Sequence, residues 1–324
     1  IFSQEIDLKV PEESNIVWFG EVHGTATNNH VAYSFMKQMA ESNEGLDYFL
    51  IEASYVTELL LNKYLETGSD SALQNLMDSY KGSIGYTVEK RQFYKDIYQL
   101  NQSLQPEDRY RAVCLDVENA PVKSHRHIAK EVQKYAPIDS ELLISKIGES
   151  KTWDELVEYY AELNNEVESN NEAYQSLLGE QYNELAYLIR NVHYVMLAYN
   201  SGNWDQTRDS LIYENFKVRT KEFEFEKNRS FAFWGWTHTS QSTLSNELDF
   251  IASRIKSNRH DIVQHTYYGI YLKSAFLFSG FEAPGIIRWM FKKEKGEYRI
   301  AKRMMNSNKI IFSISGSKYL KKIA

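Results

Sequence analysis

An α/β fold is what this sequence predicts: a central, mainly parallel sheet flanked by helices, with a large helical insertion and a C-terminal β-hairpin. Three observations carry that reading. Short runs such as Ile16-Val17-Trp18-Phe19 and Phe231-Ala232-Phe233-Trp234 are continuously apolar rather than alternating, as in parallel strands buried on both faces. Helical stretches separate them. Four such runs also end on an acid or a histidine: the first on Glu21 and His23, Tyr48-Phe49-Leu50-Ile51 on Glu52, Arg111-Ala112-Val113-Cys114-Leu115 on Asp116, and Phe231 to Trp236 on His238. In open α/β sheets ligands bind beyond the carboxyl ends of the strands, so these ionisable groups are expected at one rim.

After the first strand, Ala26 to Glu41 carries Val31, Ala32, Phe35, Met36, Met39 and Ala40 at helical spacing, with Thr25, Thr27 and Asn28 as candidate caps. Helices are expected at Thr57 to Leu65, Ser71 to Tyr80 and Val88 to Leu104, with Gly82, Gly85 and Tyr86 marking a turn. Residues 124–225 show no strand pattern. Trp153, Leu156, Val157, Tyr160 and Leu163 form one amphipathic stripe, and Leu185, Leu188, Ile189, Val192, Met196 and Tyr199 form another. Asn203 to Phe225 makes a further long helix after the break Asn200-Ser201-Gly202. The segment 124–225 is read as a helical insertion or cap within a single domain spanning 1–324.

The sheet is expected to resume at Ser230 to Trp236, followed by a helix from Leu244 to Ile255. Ile286 to Lys293 and Tyr298 to Met304 flank Glu294-Lys295-Gly296-Glu297 as a hairpin, and Lys309 to Ser315 reads as a last strand.

Composition narrows the function classes. Hydrophobic residues make 43% and charged residues 25% of the 324, an ordinary globular balance. The net charge of −7 disfavours nucleic acid or an anionic membrane as partner, and a small-molecule substrate is expected instead. No apolar stretch reaches the ~20 residues a bilayer span needs. The single cysteine, Cys114, excludes an intrachain disulfide and multi-cysteine zinc sites, and reads as a small buried hydrophobe. Ile1-Phe2-Ser3-Gln4-Glu5 looks like the end of an apolar export segment and its cleavage position, which predicts a periplasmic or secreted protein. A trimmed cytoplasmic protein would begin the same way.

Glu21-Val22-His23-Gly24-Thr25 is the sharpest local motif. Two residues apart at a strand end, Glu21 and His23 share one side while Val22 points away. A carboxylate beside an imidazole orients it and raises its basicity, which makes His23 a candidate general base. A capping turn is the bland alternative. Glu52 comes directly after its strand and needs a partner or a polar cleft. Asp116 ends its strand similarly and is expected to position another group. Trp236-Thr237-His238 closes an aromatic strand that serves either as a wall beside the histidine or as core packing.

On the long helix, Arg208, Leu211, Ile212 and Asn215 align on one face, so Arg208 and Asn215 are candidates to face the cleft. Arg208 would either pair with a strand-end carboxylate or bind an anionic intermediate. His30 lies a turn or two beyond His23. His125 and His127 read as solvated, His193 as a core or interface histidine, and His260 and His265 show no partner pattern.

The ordered set Gly20-Glu21-x-His23, Ile51-Glu52-Ala53, Arg208-Asp209 with Asn215, and Trp236-Thr237-His238 resembles the erythromycin esterase and ChaN-like superfamily over about residues 15–245. The resemblance implies His23 as base on a water that attacks an ester, with Glu21, Glu52, Arg208 and His238 as its supporting shell. Two positions depart from the esterase pattern: a single residue, Val22, separates Glu21 from His23, and Gln241 stands where a second histidine is usual. The Glu-x-His form is closer to the ChaN-like haem-binding and metal-dependent relatives.

Three functions are compatible with these residues. The first is a hydrolase of ester or related acyl bonds that requires no cofactor, with His30, Asp116, Asn215 and Trp236 near the substrate. No Gly-x-Ser-x-Gly elbow is present, which disfavours a serine acyl-enzyme. The second is a divalent-metal hydrolase with Glu21, His23, Glu52 and His238 as ligands. The third is a binding protein for haem or another flat ligand.

Overall fold

The computed structural model describes residues 10–23, 27–83, 85–135, 141–148, 152–243, 248–271 and 309–313. Among the described residues six strands form one sheet: β1 (Ile16–Glu21), β2 (Tyr48–Ile51), β3 (Arg111–Cys114), β4 (Ser230–Gly235), β5 (Gln264–Tyr271) and β6 (Lys309–Ser313), in the order β3-β2-β4-β1-β5-β6. The first five run parallel and β6 joins β5 antiparallel. The helices are α1 (Thr27–Ala40), α2 (Tyr55–Thr67), α3 (Asp70–Ser79), α4 (Val88–Ser103), α5 (Pro121–Tyr135), α6 (Trp153–Ser169), α7 (Asn171–Leu178), α8 (Tyr182–Asn200), α9 (Trp204–Phe223) and α10 (Ile251–Asn258). The expected α/β class with a mainly parallel sheet is what the chain adopts. The hairpin expected over 286–304 lies outside the described residues.

Two compact units divide the chain. The first comprises 1–52, 60–113 and 216–324, and the second 53–59 and 114–215.

In the first unit, the sheet alternates its large side chains between faces, as the period of a strand requires. Phe19, Phe231 and Phe233 point to the α1 face, where Phe35 lies 5.5 Å from Phe19, 5.6 Å from Phe231 and 4.9 Å from Tyr267, measured between ring centres. Trp18 and Trp234 point to the other face and meet edge to face at 6.0 Å. There the Trp18 Nε1–H donates to Gln264 Oε1, and Gln264 Nε2 donates to the Ala252 carbonyl of α10. Gly20 also lies on this side. A Cβ there would stand 2.6 Å from both Thr239 Oγ1 and the Tyr268 ring, so only glycine lets them cross the strand.

The strand order explains where a site can form. From β1 the chain passes over β4 to reach β2, and from β4 it passes over β1 to reach β5. The connections after the adjacent strands β1 and β4 therefore leave in opposite directions. That is a topological switch point, where a crevice opens beyond the carboxyl ends.

Two local expectations are corrected. The helix expected from Leu244 begins at Ile251 and runs to Asn258. Asp249 sits before it, accepting from the Thr243 and Ser253 hydroxyls while its carbonyl takes Arg254 Nε. These bonds suit a loop entering a helix. β5 had no expected counterpart. Its Gln, His and Thr dilute the apolar signal, yet residues Gln264 to Tyr268 pair in parallel with β1.

The second unit is helical, and among its described residues no strand lies between 124 and 215. Leu156, Tyr160 and Leu163 of α6 pack with Leu185, Leu188, Ile189 and Val192 of α8 in one buried cluster. The Thr152 hydroxyl and the Glu155 carboxylate close a capping box at the start of α6. His125, expected in solvent, is buried: its ring nitrogens bond the Tyr160 hydroxyl (3.1 Å) and the Gly148 carbonyl (2.6 Å). His127 is half-buried, and that desolvation lowers its pKa. The reason is the stripe of α5, in which Ser124, His125, Ile128, Ala129 and Val132 share the inner face.

A polar network is built into this unit. Arg208 clasps Asp116 with Nε to Oδ1 at 2.8 Å and Nη2 to Oδ2 at 2.5 Å, and Asp116 also accepts from Val117 N–H and Asn119. Asn191 donates to the Asp116 carbonyl, and Asn215 Nδ2 donates to Asn191 Oδ1 and the Leu115 carbonyl. Glu118 accepts from the Tyr55 N–H (2.7 Å), the Ser124 hydroxyl (2.5 Å) and Asn191 (3.4 Å). Burial nonetheless pushes its carboxyl from 4.5 up to about 7, outweighing those donors. Cys114 is buried, with its N–H donated to Glu58 Oε2 (2.7 Å).

Phe35→Ala should cost about 3–5 kcal/mol in chemical denaturation, since it empties the centre of a ring cluster. Because Glu118 holds its proton more tightly when folded, its contribution is greatest below pH 4.5 and is lost as pH rises to about 7. Glu118→Gln should remove that decline, on the order of 1 kcal/mol per pH unit within the window. An unchanged slope in the variant would mean that Glu118 is ionised at no cost.

Candidate functional site

Three neighbouring strands of the first unit, β2, β4 and β1, deliver four ionisable side chains to the switch point. Glu21 ends β1 and His23 lies two residues on, Glu52 comes directly after β2, and His238 lies three residues past β4. The ladder continues briefly past β4, where the Trp236 N–H donates to the Glu21 carbonyl (2.9 Å) and so ties the two loops together.

His23 Nδ1 stands 2.8 Å from Glu21 Oε1. A carboxylate only accepts, so Nδ1 is the donor in this bond. Glu21 is itself fixed: its other oxygen accepts from Asn28 Nδ2 (2.9 Å), and Asn28 also donates to the Val22 carbonyl (2.7 Å). Asn28 is buried near the start of α1 and spans the turn. The resulting line, Asn28 to Glu21 to His23, has the order of orienter, carboxylate and base.

Glu52 lies between two imidazoles. Its Oε2 accepts from the Gly235 N–H at 2.7 Å and stands 3.9 Å from His23 Nε2, while Oε1 stands 3.5 Å from His238 Nε2. Exposure is graded across the group: the His23 side chain is 43% exposed and that of His238 only 7%. His23 meets solvent and His238 forms the floor. The His238 ring is set by Trp234 (6.0 Å) and Phe250 (5.4 Å), both edge to face, and its carbonyl accepts from the Ala252 N–H of α10. The aromatic strand is thus core packing that holds the histidine.

Gly235 sets the closeness of this group. A Cβ there would lie 3.0 Å from His23 Nε2 and 3.1 Å from Glu52 Oε2. Neither Gly235 nor Asn28 stood out as a site residue in the sequence, where Asn28 reads as a helix cap. The available signal was an amide seven residues after a strand-end glutamate.

His30 is half-buried on α1, and its carbonyl accepts from the Ser34 hydroxyl. Trp236 is half-buried in the loop after β4. Arg208, Asp116 and Asn215 belong to the network of the second unit, where Arg208 takes the strand-end carboxylate of its two expected partners. Gln241, at the position of the usual second histidine, donates to the Gln264 carbonyl and the Thr266 hydroxyl, stitching its loop to β5.

The expected metal ligands are committed to other partners. Glu21 Oε1 is engaged by His23 Nδ1 and Glu52 Oε2 by a backbone N–H. Among the described residues no group of three or more His, Cys, Asp or Glu side chains is placed to hold an ion. Nor is any helix among the described residues long and apolar enough to cross a membrane.

A mainly parallel sheet with a Glu-x-His turn and a Thr-His turn at its switch point defines an α/β protein. Among solved structures, the chain is similar to a Bacillus cereus protein at 16% identity over 82% of this chain and 72% of that one, with a TM-score of 0.58. It is also similar to a histidine-to-asparagine mutant of the erythromycin esterase EreC in its open conformation, at 15% identity over 79% and 69%, with a TM-score of 0.57. A succinoglycan biosynthesis protein matches at 14% identity over 80% and 69%, with a TM-score of 0.53. These likenesses show the fold. No protein-family profile and no curated protein matches the chain.

Gly235→Ala should displace the His23 ring and the Glu52 carboxylate while leaving β4 folded. Imidazole nitrogen shifts should move for His23 with little change in thermal midpoint, and unmoved His23 signals would contradict the close packing described.

Proposed function

We propose that this chain is a hydrolase of ester or related acyl bonds in which His23 is the general base. The observation that carries the reading is the bond from His23 Nδ1 to Glu21, itself held by Asn28, which fixes the ring of a partly exposed histidine with Nε2 on the side of Glu52. The fold likeness to an erythromycin esterase supports it.

In the scheme, His23 Nε2 takes a proton from water as the oxygen attacks the acyl carbon. The imidazolium formed is stabilised by Glu21 on one side and Glu52 on the other. The leaving alkoxide recovers the proton from His23. His238, anchored beside Glu52, supplies a hydrogen bond to the oxyanion of the tetrahedral intermediate. Positioned acid–base catalysis of this kind is worth ~10²–10⁴ in rate.

Hydrolysis of 4-nitrophenyl acetate tests the proposal. His23→Ala should lower kcat/KM by ~10²–10⁴, and Asn28→Ala should lower it less. Equal rates for wild type and His23→Ala would remove the base. A Soret band on haem titration that His23→Ala abolishes, in a chain without esterase activity, would assign these residues to ligand binding instead.

A further inference from the structure

In the second unit, three aromatic side chains from three different helices meet at the surface. Trp153 opens α6, Tyr199 lies one residue from the end of α8, and Trp204 opens α9. Trp153 and Tyr199 meet edge to face at 5.1 Å, and Tyr199 lies 4.3 Å from Trp204 at a shallow angle of 35°. Apolar rings normally gain by burial, yet Trp153 is 36% exposed and Tyr199 53%. Packed against one another and rooted on helix ends, the rings hold fixed orientations without being covered. Fixed aromatic faces of this kind bind with little loss of side-chain freedom.

The surroundings select the ligand. The described residues bracketing the rings, 152–155 and 199–207, contain no Lys or Arg. They present Asp154, Asp205, Asn200, Asn203 and Gln206, all exposed, with Asn203 and Gln206 already bonded to one another as a rigid pair. Arg208 stands 5.9 Å from the Trp204 ring centre and is clasped on Asp116. Among the described residues of these two stretches the formal charges are acidic, which disfavours an anionic ligand such as a nucleotide or phosphate. A docking helix would need an aliphatic stripe that these polar neighbours break up. A neutral pyranose matches both parts, since it has an apolar C–H face for a ring and a rim of hydroxyls for carboxylates and amides.

We infer that Trp153, Tyr199 and Trp204 form a binding platform for a neutral carbohydrate, with sugar rings stacked on the exposed aromatic faces and their hydroxyls bonded to the acid and amide rim. The inference stands apart from the hydrolase reading and uses none of its residues.

Titration of the full chain with laminarihexaose and with cellohexaose, followed by tryptophan fluorescence and calorimetry, tests it. Saturable binding is expected for at least one of the two. Trp153→Ala and Tyr199→Ala should each weaken it at least tenfold, or ~1.4 kcal/mol, whereas Tyr199→Phe, which keeps the ring, should retain it. Far-UV circular dichroism checks folding, and Tyr199→Ala carries the test should Trp153→Ala unfold. Absence of saturable binding to both sugars would overturn the inference, as would unchanged affinity in Tyr199→Ala. So would a concentration-dependent dimer that these substitutions dissolve, since the patch would then bind a second copy of the chain.

Discussion

Glu52 is a carboxylate at the end of a strand whose last three residues are buried, and the Gly235 N–H donates to its Oε2 at 2.7 Å. That bond is a consequence of register: Ile51 pairs with Phe233, so the residue after Ile51 meets the backbone just past Phe233. Held there, the carboxylate reaches both imidazoles, and its negative charge is available to whichever of them gains a proton. The missing side chain at position 235 is what lets ring, carboxylate and backbone share the space. Without that donor the carboxylate would keep more of its desolvation cost.

The parts of this fold legible in the sequence are those where the physical signal is local. β1, β2 and β4 are continuous apolar runs, and the acids and histidine at their ends are evident directly from that pattern. α1, α4, α6 and α8 show their buried stripes as spacing. The illegible parts depend on partners remote in the chain. β5 is polar enough to read as loop, and becomes a strand because β1 offers it an open edge. His125 looks solvated beside Arg126, and is buried because its stripe faces Tyr160. Asn28 and Gly235 act through distances of about 3 Å that no spacing rule contains. The same limit separates Arg208 and Asp116, whose pairing was one of two foreseen alternatives, from the wider network that holds them.

The second unit solves a different problem. A helical assembly has little reason to bury Asp116, Glu118, Asn191 and Asn215 beside a half-buried Arg208 unless each finds a partner, and the chain supplies one through side chains and backbone alike. Replacing one member strands the others, so the network specifies a single packing of α5, α8 and α9 more than it adds stability. The apolar contacts of α6 with α8 provide the latter.

Cys114 adds a practical property. As the one thiol in the chain, sealed in the interior at the end of β3, it is hidden from aqueous reagents for as long as the surrounding packing persists. Its alkylation rate is thus a natural clock for opening events of the protein, read without any introduced label.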